Sequence, residues 1–302
     1  MWFKNLQLFR LPKHWTMTAE ALEAAIESQQ FVPCTSIQLL SQGWIAPAND
    51  GRLVYASNRQ FLLKLRTEKK LLPSSVINQV AKEKAAELAE QQGFRCGRKQ
   101  MKEIKEQVAD ELLPRAFSLQ ADTGVWIDTV NGWLAIDAAS AARAEEAIKL
   151  LIKAVDKFPL STLRTTLSPV GAMTNWLLAD EPPHGFTIDQ ELELRSSAHG
   201  NATVRYVRHS VEPEEVRRHI TAGKQCTRMA LTWRDKVSVV LTEALAVKRV
   251  AALDVLKEGN DTASAGEEER FESDFQLMAG ELAQLLDDLV NALGGEQIEQ
   301  AA

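Results

Sequence analysis

The chain has 302 residues, 45% hydrophobic and 25% charged, with a formal net charge of −6. That is length enough for two or three domains, or one elaborated core, at ordinary globular composition. No apolar run approaches the ~18 residues that span a bilayer, and three scattered cysteines (Cys34, Cys96, Cys226) without a CxxC pair argue against a disulfide framework or cysteine-rich zinc site and for a reducing cytoplasm.

Residues 2–11 alternate apolar and polar side chains and predict a first strand rather than a signal peptide. Thr18 is placed to cap a helix over 19–30, with Leu22, Ala25 and Ile26 inward. Two short strands follow, "RLVYA" and "QFLLKLR". Pro73, Ser74 and Ser75 then punctuate the chain, either serine serving as cap for a helix to about Gln92 with Ile77, Val80 and Leu88 at helical spacing. Gly93 and Gly97 interrupt it. A second helix, from about Arg98 to Leu113, carries Met101, Ile104, Val108 and Leu112 on one stripe. The two segments read as a helical hairpin projecting from the body, ended by Pro114.

The start of that second helix concentrates charge. Residues 93–107, "GFRCGRKQMKEIKEQ", hold Arg95, Arg98, Lys99, Lys102 and Lys105 against Glu103 and Glu106. At ~100° per residue, Arg98, Lys102 and Lys105 fall within about 60° of arc, expected to be free of intermixed acids. The sequence is polarised as a whole. Residues 254–302 carry thirteen acids and two bases, whereas 1–253 carry 33 bases and 28 acids. A basic body with an acidic tail can dock a polyanion locally despite an anionic total.

Next comes "VWIDTVNGWLAID", in which Asn131-Gly132 between alternating runs signals a two-residue hairpin turn. Val125, Ile127, Leu134 and Ile136 then share a core face. Trp126, Asp128, Trp133 and Asp137 share the other, which is too aromatic to be left to solvent. Ser140 caps a helix over 141–157 with Ala144, Ile148, Leu151, Ile152 and Val155 inward. After "FPLSTLRTTLSPVG", strands are expected at 185–194, 202–211, 225–233, 236–242 and 245–250, with Pro213 opening a short helix over 213–222. "EGNDTASAGEEE" is a loop. An amphipathic helix over about 267–293 turns Phe271, Phe275, Met278, Leu282, Leu285, Leu286, Leu289 and Leu293 inward, and Gly294 and Gly295 stop it. The expected fold is therefore α+β with mixed layers.

Catalytic signatures are sparse. "TAGK" at 221–224 resembles the end of a phosphate-binding loop, but Arg218 stands where the first glycine belongs and Gln225 where Ser or Thr belongs. His14, His184, His199, His209 and His219 form no close metal-ligand spacing, and no GxSxG elbow occurs. Asp128 and Asp137, near diagonal neighbours on one hairpin face, could serve as the carboxylate pair of a metal-dependent nuclease, but without a third ligand they read first as solvated strand acids. Among aromatics, only Tyr206, between Arg205 and Arg208, stands amid basic residues as a base-stacking platform would. A second basic set lies at Arg205, Arg208 and His209, followed by Arg217 and Arg218. Strand parity sends Arg205 and Arg208 to opposite faces.

The run "LLPRAFSLQADTGVWIDTVNGWLAIDAASA", with "MWFKNLQLFRL", "FVPC", "LLPSSVINQ" and the terminal "FESDFQLMAGEL", closely resembles the bacterial recombination-associated RdgC family, nearly end to end. The resemblance implies a curved multi-domain subunit, two of which close into a ring-shaped homodimer around duplex DNA with little sequence preference. It implies opposition to RecA-promoted recombination, association with the nucleoid in the cytoplasm, and no catalysis, cofactor or membrane partner. By the family's plan, 1–74 and 114–170 form the central body, 75–113 the helical tip, and 171–302 the base. The phenylalanine of PRAF, which enters a pocket of the other subunit in that family, matches Phe117. Arg205, Arg208 and His209 match the neighbourhood of its DNA-facing positions, and Arg98, Lys99, Lys102 and Lys105 correspond by region. Two rival functions stand beside this: a metal-dependent nuclease using Asp128 or Asp137, and an interaction protein that binds RecA through the tryptophan face without touching DNA.

Overall fold

The computed structural model describes residues 2–13, 15–196, 200, 202–208, 212–258 and 266–297. The candidate His209, the end of the strand expected to 211, and residues 259–265 of the expected loop lie outside the described residues. The chain forms two compact units, one of residues 1–26, 46–63 and 124–302, the other of 27–45 and 64–123.

The first unit is built on an antiparallel sheet. Its strands are β1 (Asn5–Arg10), β3 (Tyr55–Ser57), β6 (Trp133–Asp137), β7 (Ser161–Thr162), β8 (Phe186–Ser196), β9 (Thr203–Val207), β10 (Lys224–Trp233), β11 (Val237–Thr242) and β12 (Val247–Ala252). The order β6-β1-β12-β11-β10-β8-β9 places β9 at an edge. Period-two alternation decides the faces. On β10, Met229, Leu231 and Trp233 point into the core while Arg228 and Thr232 point out; on β8, Leu192 and Leu194 point in and Glu191 and Arg195 out.

One long helix, α8 (Glu267–Ala292), covers the inner face, burying Phe275, Met278, Leu282, Leu285, Leu286 and Leu289 as the spacing predicted. Polar groups at that contact are paired. The indole N–H of Trp133 donates to Asp287 at 3.2 Å and that of Trp233 to Asp288 at 2.8 Å. Helix α4 (Ala141–Ala154) starts at Ser140, whose Oγ accepts from the Arg143 amide, and buries Ala144, Ile148 and Leu151; Ile152, expected inward, is exposed. Helix α5 (Pro169–Ala179) was not expected from the sequence. Ser168-Pro169 looks like a break, yet it is an N-cap followed by proline at the first turn, and Ala172, Met173 and Leu177 are buried against the sheet.

The 125–137 hairpin keeps its predicted faces but not its register. Strand β5 (Ser118–Asp128) ends by pairing Asp128 with Trp133, Ile127 with Leu134 and Trp126 with Ala135. Four residues, not two, therefore make the turn, a shift of two that preserves side-chain parity. Asp128 causes it. Its Oδ1 accepts the Val130 and Asn131 amides at 2.9 and 3.0 Å, and its Oδ2 the Asn131 side-chain amide at 2.7 Å. Gly132, at φ +75°, lies against Leu11, where a Cβ would come within 2.4 Å of the carbonyl oxygen. Both tryptophans of the aromatic face are buried inside the same unit.

In the second unit, β2 (Leu40–Ile45), also unexpected, pairs with residues 64–69 of β4 (Gln60–Lys70). Its motif "SQGWI" conceals a strand because Gly43 interrupts it. The glycine is required, since a Cβ there would fall 2.4 Å from the Phe31 Cα. Helices α2 (Ser74–Gln92) and α3 (Arg98–Leu112) pack on one another through Ala81, Ala85, Ile104 and Val108. Lys84 bridges them to Glu111. Neither serine caps α2; Pro73 is its N-cap residue, and Gly93, at φ +77°, is its left-handed C-cap. The remaining described helices are α1 (Ala19–Ile26), capped by Thr18; α6 (Pro213–Thr221); and α7 (Asp254–Glu258).

Candidate nucleic-acid interface

Helix α3 sorts its side chains cleanly. Ile104 and Val108 are buried against α2, and Arg98, Lys99, Lys102 and Lys105 are all exposed. One expectation needs correcting. Glu106 adjoins the cationic arc and pairs with Lys102 at 3.7 Å across one helical turn. Both partners are largely solvated, so the pair is weak and its lysine exchangeable for another anion.

In the first unit, Arg205 lies on the outer face of β9, directly opposite Glu193 of β8. Its guanidinium holds that carboxylate through Nη2, and through Nε at 3.1 Å. The Thr227 hydroxyl supports the other carboxylate oxygen at 3.1 Å. The Arg205 hydrogen bond is the largest cause holding the Glu193 carboxyl below its usual range. Parity alone would send Arg208 to the inner face. It does not, because Arg208 follows the last residue of β9 in a left-handed conformation, φ +52°. It borders a depression of about 230 Å³ on the outer face, lined also by Ala230, Val240, Glu191 and Arg249. Arg205 borders a neighbouring depression that shares Glu191 and Val240. Arg205 and Arg208 thus line the same surface.

Sequence reading missed three further cations there. Arg249 binds Glu191 at 2.6 Å, Arg195 pairs with Glu243, and Arg228 flanks Glu193. The signal was present in the outward parity of Arg195 on β8, whose residues 191–195 alternate Glu, Leu, Glu, Leu, Arg. Arg249 had no such signal, because it occupies an irregular step in β12 at φ +53°. Tyr206 is not a stacking platform. It points inward, nearly buried, and its hydroxyl donates to Glu215 at 2.8 Å; burial and that bond push its phenol up to about 12.

Phe117 is 85% exposed. It leads a patch within the second unit that includes Ile37, Leu39, Leu71 and Leu119, all exposed. Backbone hydrogen bonds knit the patch, from Lys70 N–H to Leu39 O (2.9 Å) and from Leu71 N–H to Phe117 O (2.7 Å). The Lys70 ammonium, itself buried, ties Ser36 O and Leu113 O together at 3.1 and 3.0 Å. Exposed apolar side chains held near one another suit an interaction surface.

The carboxylates singled out in the sequence do structural work. Besides the turn held by Asp128, Asp137 Oδ1 accepts the Lys4 and Asn5 amides at 3.0 and 2.8 Å, while burial raises its pKa. Among the described residues, no three His, Cys, Asp or Glu side chains are grouped to hold a metal ion. Gly223 of "TAGK" ends α6 with φ +86° and leads into β10. On the tryptophan face Trp126 and Trp133 are buried, Trp133 bonded to Asp287 of α8 and Trp126 to Gln60.

The frame is mixed α/β with a large antiparallel sheet, and each of the two units carries exposed cationic side chains of its own. The comparisons give the chain's family. The family described as "Putative exonuclease, RdgC" matches residues 1–296. The recombination-associated protein RdgC of Herminiimonas arsenicoxydans is 63% identical over 300 residues, covering 99% of this chain and 100% of that protein. Its namesakes from Janthinobacterium sp. (strain Marseille) and Paraburkholderia phymatum are 62% and 58% identical over 296 residues, each covering 98% of this chain and 99% and 97% of those proteins. The chain belongs to the RdgC family of recombination-associated proteins. No helix among the described residues is long and apolar enough to cross a membrane.

Proposed function

We propose that this protein binds duplex DNA without reading its sequence, as a ring-shaped homodimer that occupies the duplex and so opposes RecA-dependent recombination. The observation that carries the reading is the exposed cationic face of α3, with Arg98, Lys102 and Lys105 on one arc of a helix whose other side is its packing face. Lysines and arginines so placed neutralise backbone phosphates and release condensed counterions. They position the duplex without reporting its bases. Arg205 and Arg208 on the outer sheet face supply a second set of phosphate ligands. The apolar patch around Phe117 supplies self-association, and ring closure turns binding into topological capture at the nucleoid. The protein acts by occupancy and without chemistry on the DNA.

Binding to linear and closed circular duplexes of equal length tests this. We expect both to bind with affinity indifferent to sequence, and the circular form to dissociate more slowly once loaded. Failure to bind duplex at low salt would reject the reading. The family's description as an exonuclease supplies the second reading. Magnesium- or manganese-dependent degradation that is lost in Asp128→Asn, with the fold intact, would establish it in place of the first.

A further inference from the structure

We propose that Glu193 is a positioning residue for duplex binding, aiming Arg205 at the phosphate backbone although its own charge repels DNA. This rests on the reading of Arg205 as a phosphate contact. Glu193 sits directly between two arginines, opposite Arg205 on one side and Arg228 on the other. Its carboxylate is largely buried, and Thr227 Oγ1 fixes it from the core side at 3.1 Å. The Arg205 side chain is 57% exposed. Both of its bonds to Glu193, from Nε and Nη2, fall on a single carboxylate oxygen. Nη1 and the outer edge of the guanidinium are therefore left toward solvent, in the planar fork that suits a phosphate. A long, flexible side chain is thereby held in one orientation before the ligand arrives, which lowers the ordering cost of binding. The Arg195–Glu243 pair on the same sheet is more open. Glu243 beneath Arg195 is 46% exposed, whereas Glu193 is anchored from below by a hydroxyl.

Simple electrostatics and positioning predict opposite signs. Removing an acid from a DNA-binding face should tighten binding by charge alone. If Glu193 aims Arg205, Glu193→Ala should weaken it. The test is anisotropy of a labelled duplex from about 50 to 300 mM salt, with full-length variants checked for wild-type circular dichroism. We expect Arg205→Ala to lower affinity about tenfold and flatten the log–log salt slope by about 0.9. Glu193→Ala should move both the same way, and add nothing in an Arg205→Ala background. Thr227→Val, which changes no charge and keeps the side chain's shape, should weaken binding about twofold; it carries the test if Glu193→Ala does not fold. Weakening by Arg205→Ala alongside unchanged or tighter binding by Glu193→Ala, or by Thr227→Val when it stands in, overturns the positioning role. Unchanged binding in Arg205→Ala rejects the phosphate contact itself, and the proposal with it.

Discussion

Single residues in this chain were most often misjudged where a side chain serves the backbone. Asp128 has the chemistry of a metal ligand, yet three amide donors within its own turn occupy it. Nothing in its residue type announces that; the shift in hairpin register does. Tyr206 has the setting of a base-stacking residue, flanked by two arginines, yet strand alternation turns it inward to Glu215. Its pKa gives a test. An unfolded tyrosine ionises near ~10, whereas Tyr206 in the folded chain is held up to about 12. The stabilisation is therefore complete below the unfolded value and is lost as pH rises through the folded one. Urea unfolding across that interval should show a fall in stability for the wild type that is smaller in Tyr206→Phe. Parallel loss in both would place the phenol in solvent.

At the scale of elements, long periodic segments were legible and short interrupted ones were not. Helices α3 and α8 declare themselves through stripes of Ile104 and Val108, or of Phe275 to Leu289, because burial of one face imposes the 3.6-residue period. Strand β2 was hidden by the glycine that lets residue 31 approach it. Helix α5 was hidden by a Ser-Pro pair that begins a helix as readily as it breaks one. Of the candidate interface, the lysines of α3 could be read from helical spacing, but the shared surface of Arg205 and Arg208 could not, since one left-handed residue undoes strand parity. The exposure of Phe117 was likewise invisible to periodicity; the resemblance pointed to it. Its role belongs to this scale. The patch it leads is fixed by backbone bonds and by the buried Lys70, so Phe117→Ser should leave the subunit folded. We expect the dimer to dissociate on the order of thirtyfold more readily, with sedimentation equilibrium as the measurement. An unchanged oligomer would remove Phe117 from the interface.

For the molecule as a whole, the sign of the total charge is a poor guide to how charge is distributed along it. The −6 sum hides an acidic last sixth and a basic remainder. The acids of α8 lie mostly on its solvent side or pair with residues of the sheet, as Asp287 and Asp288 do with the indoles and Glu281 with Lys236 at 2.7 Å. On α3, Lys102 pairs with the solvated Glu106, which a phosphate can replace, while on the outer sheet face the largely buried Glu193 holds Arg205. That arrangement suits contacts that are many, individually weak and readily exchanged along a uniform backbone. The most direct test is the salt dependence of duplex affinity in the wild type beside the combined Arg98→Glu, Lys102→Glu, Lys105→Glu variant, from about 50 to 300 mM. We expect a steep linear log–log fall for the wild type and, for the variant, weaker binding with a slope shallower by about 2.7, the share of three phosphate contacts. A wild-type affinity flat across that range, or a variant with unaltered slope and strength, would contradict electrostatic capture of the duplex by this face.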